Sequence, residues 1–139
     1  MKIYNAISEL ILSRPNNEAG GFVIFEGNNE NDFVQYSLEE NGLSLYWPSS
    51  QEGLGSRLPE VMGILSALGI KKEKPSSEIR DIANFIQSLK PGTMFMAEDG
   101  VYVQGGRNVK LITDMTCYIL REVFDFNDPE KVTITLELY

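Results

Sequence analysis

The chain has 139 residues, one cysteine, no histidine and a formal net charge of −8 at pH 7. That length fits one domain, and a lone cysteine excludes an internal disulfide, which suits a reducing compartment such as the cytosol. The shortage of basic side chains argues against nucleic acid as a partner, and the lack of an apolar run of ~20 residues argues against a membrane span.

The first half of the chain predicts a helix followed by a three-stranded antiparallel meander. The expected elements are a helix from Ile3 to Ile11 that Arg14-Pro15 ends, and strands at 22–25, 33–38 and 43–47. Apolar side chains recur at helical spacing in the first element and alternate with polar ones in the strands. Asn41-Gly42, between the second and third strands, is typical of a tight hairpin turn.

The second half predicts three helices, a second hairpin and a last strand. The expected elements are helices at 58–68, 78–89 and 109–123 and strands at 93–97, 101–104 and 132–138. Ser76 or Ser77 would cap the middle helix, and its inward positions would be Ile79, Ile82, Ala83, Ile86 and Leu89. The lysine-rich stretch 71–75 is interpreted as a solvated connector.

This order of elements, αβββααββαβ, indicates the α+β class. Hairpins rather than βαβ crossovers join the strands, so the sheet is expected to be mainly antiparallel. It would combine the meander, the second hairpin and the C-terminal strand, with about four helices packed against it. Residues 1–139 would form a single α+β domain.

The absence of histidine removes the common catalytic constellations. Ser-His-Asp and Cys-His sites need an imidazole to take the proton of the nucleophile. Glu98-Asp99 is a carboxylate pair, but Asp99-Gly100 is also favoured by hairpin-turn geometry. Cys117 falls on the predicted long helix, where packing is the simpler role. We therefore predict no catalytic residue, no metal site and no cofactor.

A weak candidate for anion binding precedes the long helix. Gly105 and Gly106 could present backbone N–H groups, and Arg107 a guanidinium, to an anion at the start of that helix. The glycine spacing matches neither a Walker loop nor a dinucleotide-binding fingerprint. A flexible turn between a strand and a helix is the alternative interpretation.

The meander is both acidic and rich in aromatic residues. No lysine or arginine occurs between Pro15 and Glu52, while acids recur from Glu18 onwards. The candidate partner-binding residues in this region are Glu26, Asp32, Tyr36, Glu39, Glu40, Tyr46 and Trp47. Acidic side chains steer a basic partner, although they also serve solubility alone. The aromatic side chains could equally belong to the core.

The order of elements resembles that of type III secretion chaperone-like domains and their YbjN-like relatives. Local similarities are Val34-Gln35-Tyr36, Leu68-Gly69-Ile70 and the segment 119–124. The helix 78–89 and the strand 132–138 are additions to the family pattern. The resemblance implies a small acidic α/β protein, often a homodimer, that binds a polypeptide on an apolar surface.

Three functions follow as hypotheses. The leading one is a non-catalytic cytosolic protein-binding domain, chaperone-like or adaptor-like, whose acidic, aromatic-rich sheet surface contacts a protein or peptide. The second is an immunity protein that neutralises a basic toxin. The third is a small-molecule sensor or an enzyme built on carboxylates.

Overall fold

The computed structural model describes residues 1–14, 18–49, 54–74 and 81–139, which contain four α-helices and seven strands. In chain order these are α1 (Lys2–Leu12), β1 (Phe22–Glu26), β2 (Phe33–Glu39), β3 (Gly42–Pro48), α2 (Leu58–Ala67), β4 (Lys71–Lys72), α3 (Ile82–Gln87), β5 (Thr93–Met96), β6 (Gly100–Gln104), α4 (Val109–Glu122) and β7 (Thr133–Glu137). The α+β class and the mainly antiparallel sheet are confirmed.

All seven strands belong to one sheet, in the order β4-β5-β6-β3-β2-β1-β7. Every neighbouring pair is antiparallel except β4 and β5, which run parallel. The meander β1–β3 and the hairpin β5–β6 meet where β3 pairs with β6, and Tyr46 lies opposite Tyr102 in that register. The last strand, β7, pairs with the first, β1.

One face of the sheet packs against α1, α2 and α4 and holds the hydrophobic core. Alternate residues of each strand point into it, so β2 contributes Val34 and Leu38 while β3 contributes Leu43 and Leu45. The helices pack apolar residues, which recur at helical spacing, against this face of the sheet. Their buried positions include Ile3, Ile7, Leu10, Val61, Leu65, Ile112, Met115 and Ile119.

Local signals set the ends of the helices. Asn108 caps α4, because its side chain accepts a hydrogen bond from the backbone N–H of Leu111 at 3.0 Å. Asp81 caps α3 in the same way through Asn84. After α2, Gly69 adopts a φ of +84°, the left-handed conformation in which a helix commonly ends.

Among the described residues, α3 is the helix that covers part of the second face of the sheet. Phe85 on this helix meets Phe95 of β5 edge to face, with ring centroids 5.1 Å apart. The side chain of Asn41, in the β2–β3 turn, donates to the backbone oxygens of Gln87 and Leu89 at 3.1 and 3.2 Å. These contacts hold α3 over β5 and the neighbouring turn.

Two predictions about the middle of the chain were wrong. Lys71 and Lys72 form β4 rather than a solvated connector, because backbone pairing with β5 needs no apolar side chain. In α3, Ile82 and Ala83 are exposed rather than inward, since α3 lies on the edge of the sheet's second face and only one side of it is covered. The predicted cap at Ser76 or Ser77, and Ile79, lie outside the described residues.

Candidate functional site

A cleft of about 580 Å³ lies over the second face of the sheet, beside α3. Strands β2, β3 and β6 form its floor, and Ile86, Gln87 and Leu89 contribute one wall. The volume falls in the range of ~300–1,000 Å³ that is typical of ligand-binding pockets. We refer to it below as the sheet cleft.

Uncharged polar side chains line the floor of the sheet cleft. Gln35 and Ser37 come from β2, Ser44 from β3 and Gln104 from β6. They lie side by side because Ser37 pairs with Ser44, and Ser44 in turn pairs with Gln104. Amide and hydroxyl groups both donate and accept hydrogen bonds, so this floor can satisfy the backbone groups of a bound chain.

The charged side chains of the sheet cleft are acidic. Glu39 ends β2 and Glu40 follows it, so two carboxylates lie together at one end of the cleft. Both residues are exposed. None of the described residues that line the cleft is a lysine or an arginine.

At the other end, two tyrosines and one aspartate form a cluster that we call the Tyr–Asp cluster (Tyr46, Tyr102 and Asp99). The two rings lie 4.7 Å apart between centroids, with a tilt of 36° between their planes. The Tyr102 hydroxyl donates to Oδ2 of Asp99 at 2.8 Å, and the Tyr46 hydroxyl lies 2.8 Å from the backbone oxygen and 3.2 Å from Oδ2 of the same residue. The hydroxyl groups of both tyrosines thus hydrogen-bond to Asp99.

Backbone pairing holds Asp99 at this position. The hairpin turn between β5 and β6 brings Asp99 beside the end of β3, where the Ser49 N–H donates to the Asp99 carbonyl at 2.9 Å. Gly100 follows with a φ of +155°, and a Cβ there would meet the Trp47 carbonyl oxygen at 2.2 Å. The turn therefore needs glycine after Asp99, as its sequence suggested.

Burial and hydrogen bonds reinforce the ordinary charge state of the Tyr–Asp cluster at neutral pH. The hydrogen bond from Tyr102 is the largest influence that lowers the pKa of Asp99 below its ordinary value. Burial, followed by the hydrogen bond to Asp99, raises the pKa of Tyr102 to about 12. Burial and the charge of Asp99 also raise the pKa of Tyr46. At neutral pH the cluster is therefore one carboxylate with two phenol donors.

Three predicted partner-binding residues lie in or beside the sheet cleft. Glu39, Glu40 and Tyr46 all line it, and 43% of the surface of Tyr46 is exposed. Glu26 and Asp32 do not line it. Glu26 is half-buried at the end of β1, and the carbonyl of Asp32 accepts the Gly27 N–H at 2.8 Å in the β1–β2 loop. Glu52 lies outside the described residues.

Tyr36 and Trp47 belong to the core, which corrects their assignment as contact residues. Tyr36 is 1% exposed and Trp47 is 2% exposed. The Trp47 indole donates to the carbonyl of Leu54 at 2.7 Å and stacks on Phe124 with centroids 5.9 Å apart. Side chains so enclosed present no surface to a partner.

The glycine turn before α4 has a structural role in place of the expected anion site. The Gly105 N–H donates to Leu43, and the Gly106 N–H donates to the side-chain oxygen of Gln104 at 2.7 Å. Arg107 donates to the carbonyls of Ile11 and Arg14 at 3.2 and 3.0 Å, at the end of α1. The two glycine N–H groups and Nη1 of Arg107 thus have partners within the protein, whereas Nη2 of Arg107 is buried and has no partner among the described residues.

Sequence reasoning missed the polar floor and two members of the Tyr–Asp cluster. Gln35 and Ser37 alternate with apolar residues, a pattern that usually marks the solvent side of a strand, and no sequence pattern singles out Ser44. Asp99 was interpreted as a turn residue, and Tyr102 was not singled out. No sequence signal brings Tyr46 and Tyr102 together, because their contact depends on the pairing of β3 with β6.

Other groups in the described residues offer little chemistry. Cys117 is half-buried on α4, and burial raises the pKa of its thiol, which disfavours the nucleophilic thiolate. Within the described ranges, no group of three or more Cys, Asp or Glu side chains converges on a point that could hold a metal ion. In the same ranges, no helix has the length and apolar character needed to cross a membrane.

Comparison with known proteins adds no relative. No protein-family model matches the chain, and neither a curated protein nor a solved structure matches it. The resemblance to type III secretion chaperone-like domains therefore stays a prediction.

Proposed function

We propose that this protein is a non-catalytic, cytosolic protein-binding domain that holds a basic polypeptide segment in the sheet cleft. The observation that carries the proposal is the charge of the cleft. Its described lining includes two carboxylates and no lysine or arginine, and Asp99 adds a third carboxylate at the opposite end. Opposite charge raises the rate of association and selects against acidic partners.

The topology favours recognition through side chains. Strands β2, β3 and β6 have hydrogen-bonded neighbours on both sides, so a bound peptide cannot join the sheet there as an extra strand. The polar floor offers Gln35, Ser37 and Ser44 to the peptide instead, whereas Gln104 is buried and its side-chain oxygen already accepts the Gly106 N–H. Ile86, which lies on α3 and is half-buried, provides apolar contact from the wall.

The absence of histidine supports a role without catalysis, because histidine is the side chain that most often acts as a general acid or base near neutral pH. A cleft is suited to binding a single segment of polypeptide. An immunity protein, in contrast, masks an active site with a broad surface. An adaptor-like or chaperone-like role is thus the preferred form of the proposal. Dimerisation stays a prediction.

Paired substitutions at the centre of the floor test the proposal. Dodecapeptides would be selected from a random display library on the wild-type protein, and their affinities measured by fluorescence anisotropy at 50 mM NaCl. We expect selected sequences rich in lysine and arginine. Ser44→Arg should weaken their binding about tenfold or more, whereas Ser44→Glu should preserve or strengthen it.

The same two substitutions at Thr135 provide the control. Thr135 lies on β7, on the same face of the sheet but outside the cleft, and is half-buried like Ser44. Thr135→Arg and Thr135→Glu should differ from one another far less than the Ser44 pair. The proposal is wrong if selected peptides are acidic, or if the Ser44 pair binds them equally well.

A further inference from the structure

The Tyr–Asp cluster combines an accessible aromatic face with a fixed negative charge. Tyr46 keeps 43% of its surface exposed while its ring packs against Tyr102, and Asp99 is exposed beside both. A cation over the face of a tyrosine is attracted by the ring, and a carboxylate nearby adds a direct ion pair. The cluster therefore presents two complementary attractions to one positive group.

The hydrogen bonds leave Asp99 able to bind a further donor. A carboxylate offers about four acceptor positions, and the two phenol groups use fewer than that. Because the phenols hold the carboxylate in one orientation, a ligand loses little additional freedom there on binding. No salt bridge to Asp99 occurs among the described residues, so none of their cations occupies this position.

We infer that the Tyr–Asp cluster is a subsite that binds one arginine side chain of the partner. This inference rests on the proposed function, and it names the side chain that one end of the sheet cleft recognises. A guanidinium is planar, so it stacks on the Tyr46 ring while its edge donates hydrogen bonds to Asp99. The lysine ammonium is a compact and strongly hydrated charge, which fits this arrangement less well.

A pair of short peptides separates charge recognition from general binding. The acetylated, amidated tripeptide Gly-Arg-Gly would be titrated into the ¹⁵N-labelled protein and followed by NMR, alongside the same peptide with citrulline in place of arginine. Citrulline keeps the planar shape but is neutral. We expect the arginine peptide to shift the amide signals of Asp99, Gly100 and Tyr102, and the citrulline peptide to bind at least about fivefold more weakly.

Substitutions then assign the effect to the cluster. Asp99→Asn and Tyr46→Leu should each weaken binding of the arginine peptide by about fivefold. Glu98→Gln removes the neighbouring charge of the same turn and should leave binding unchanged. Thermal unfolding of each variant would show whether it remains folded. If a variant does not fold, the comparison of the two peptides still tests the subsite, because it uses the wild-type protein.

The outcomes distinguish this inference from the proposed function. If selected dodecapeptides bind in the cleft but Asp99→Asn has no effect on them, and the two tripeptides shift the same signals equally, the cluster only fixes the hairpin and the inference is overturned. If the arginine tripeptide shifts the amide signals of the cluster but the affinity of the dodecapeptides does not depend on residue 44, the arginine subsite is supported and the proposed role of the sheet cleft is refuted. If neither tripeptide shifts any signal, the subsite is refuted.

Discussion

At the scale of single residues, Tyr36 shows how a buried polar group is satisfied. Its hydroxyl lies 2.7 Å from Oγ1 of Thr116, and Thr116 itself donates to the Ile112 carbonyl at 2.7 Å. A threonine hydroxyl has only one hydrogen, so Tyr36 must be the donor to Thr116. Burial raises the pKa of the Tyr36 phenol well above its ordinary value.

This geometry predicts how Tyr36→Phe changes stability with pH. At pH 8 the variant should unfold with about 1 kcal/mol less free energy, because one buried hydrogen bond is lost. The raised folded-state pKa means that the neutral phenol stabilises the wild type fully below pH 10. Above pH 10 the contribution of the Tyr36 phenol to the free energy of unfolding falls by about 1.4 kcal/mol per pH unit. The variant has no phenol at this position, so it does not lose this stability. The difference should therefore vanish near pH 11.

Urea unfolding between pH 8 and pH 11 measures this difference, with the buried single tryptophan, Trp47, as the fluorescent reporter. Tyr4→Phe changes an exposed tyrosine and is the matched control, which should follow the wild type at every pH. A difference between Tyr36→Phe and wild type that stays constant with pH would contradict the prediction.

The sequence predicts which residues lie in the core better than it predicts which residues contact a partner. Tyr36 shares the period of Val34 and Leu38, and Trp47 shares that of Leu43 and Leu45, so alternation alone already placed both in the core. Their aromatic character suggested contact with a partner, and that suggestion was wrong for these two residues. Tyr46, one residue before Trp47, points the other way and is exposed.

At the scale of elements, α4 depends on its cap. Asn108→Ala removes the acceptor for the Leu111 N–H and should lower the free energy of unfolding by about 1 kcal/mol. Asn108→Asp keeps an acceptor and adds a negative charge at the start of the helix, where the helix dipole favours it. The aspartate variant should therefore be at least as stable as the wild type.

Chemical denaturation of the two Asn108 variants, side by side with wild type, checks this ordering. If the aspartate variant loses as much stability as the alanine variant, the side-chain cap does not contribute as the geometry suggests. The cap also bears on the site indirectly, since α4 packs on β2, whose second face forms part of the cleft floor.

Elements with strong periodicity were predictable, and elements held by backbone pairing alone were not. The meander, the second hairpin, α1, α4 and β7 follow from alternation or helical spacing. Lys71 and Lys72 give no such pattern, so β4 could not be distinguished from a connector. In α3, the apolar residues suggested an inward stripe, but the side that a helix buries depends on where the sheet ends beneath it.

At the scale of the whole molecule, the charge of −8 is poorly compensated. Three salt bridges occur among the described residues, and all are exposed. Exposed pairs contribute little to stability. Repulsion among the unpaired carboxylates should then dominate the electrostatics of the folded state.

We therefore predict that added salt stabilises the protein. Between 10 and 300 mM NaCl, the free energy of unfolding should rise by on the order of 1 kcal/mol, since salt screens the repulsion between carboxylates. Urea titrations at each salt concentration measure the change. The double variant Glu39→Gln/Glu40→Gln should show a smaller dependence on salt. Stability that falls as salt is added would refute this interpretation.

The overall class was predictable, but the strand order and the cleft were not. Hairpins indicate which consecutive strands pair, whereas the contacts of β3 with β6 and of β1 with β7 join strands far apart in the chain. Within the described ranges, the cleft exists because α3 covers one part of the sheet's second face and leaves the part over β2, β3 and β6 open. No local pattern in the sequence contains that information.

The pairing of β7 with β1 has a consequence for how the protein is made. Residues 22–26 leave the ribosome early, yet their outer hydrogen-bonding edge finds its partner only after residues 133–137 have been synthesised. Until then the nascent chain exposes an apolar strand edge of the kind that other chains can pair with. The sheet is therefore completed only when residues 133–137 are available, and a chain that stops before residue 133 would leave that edge of β1 uncovered.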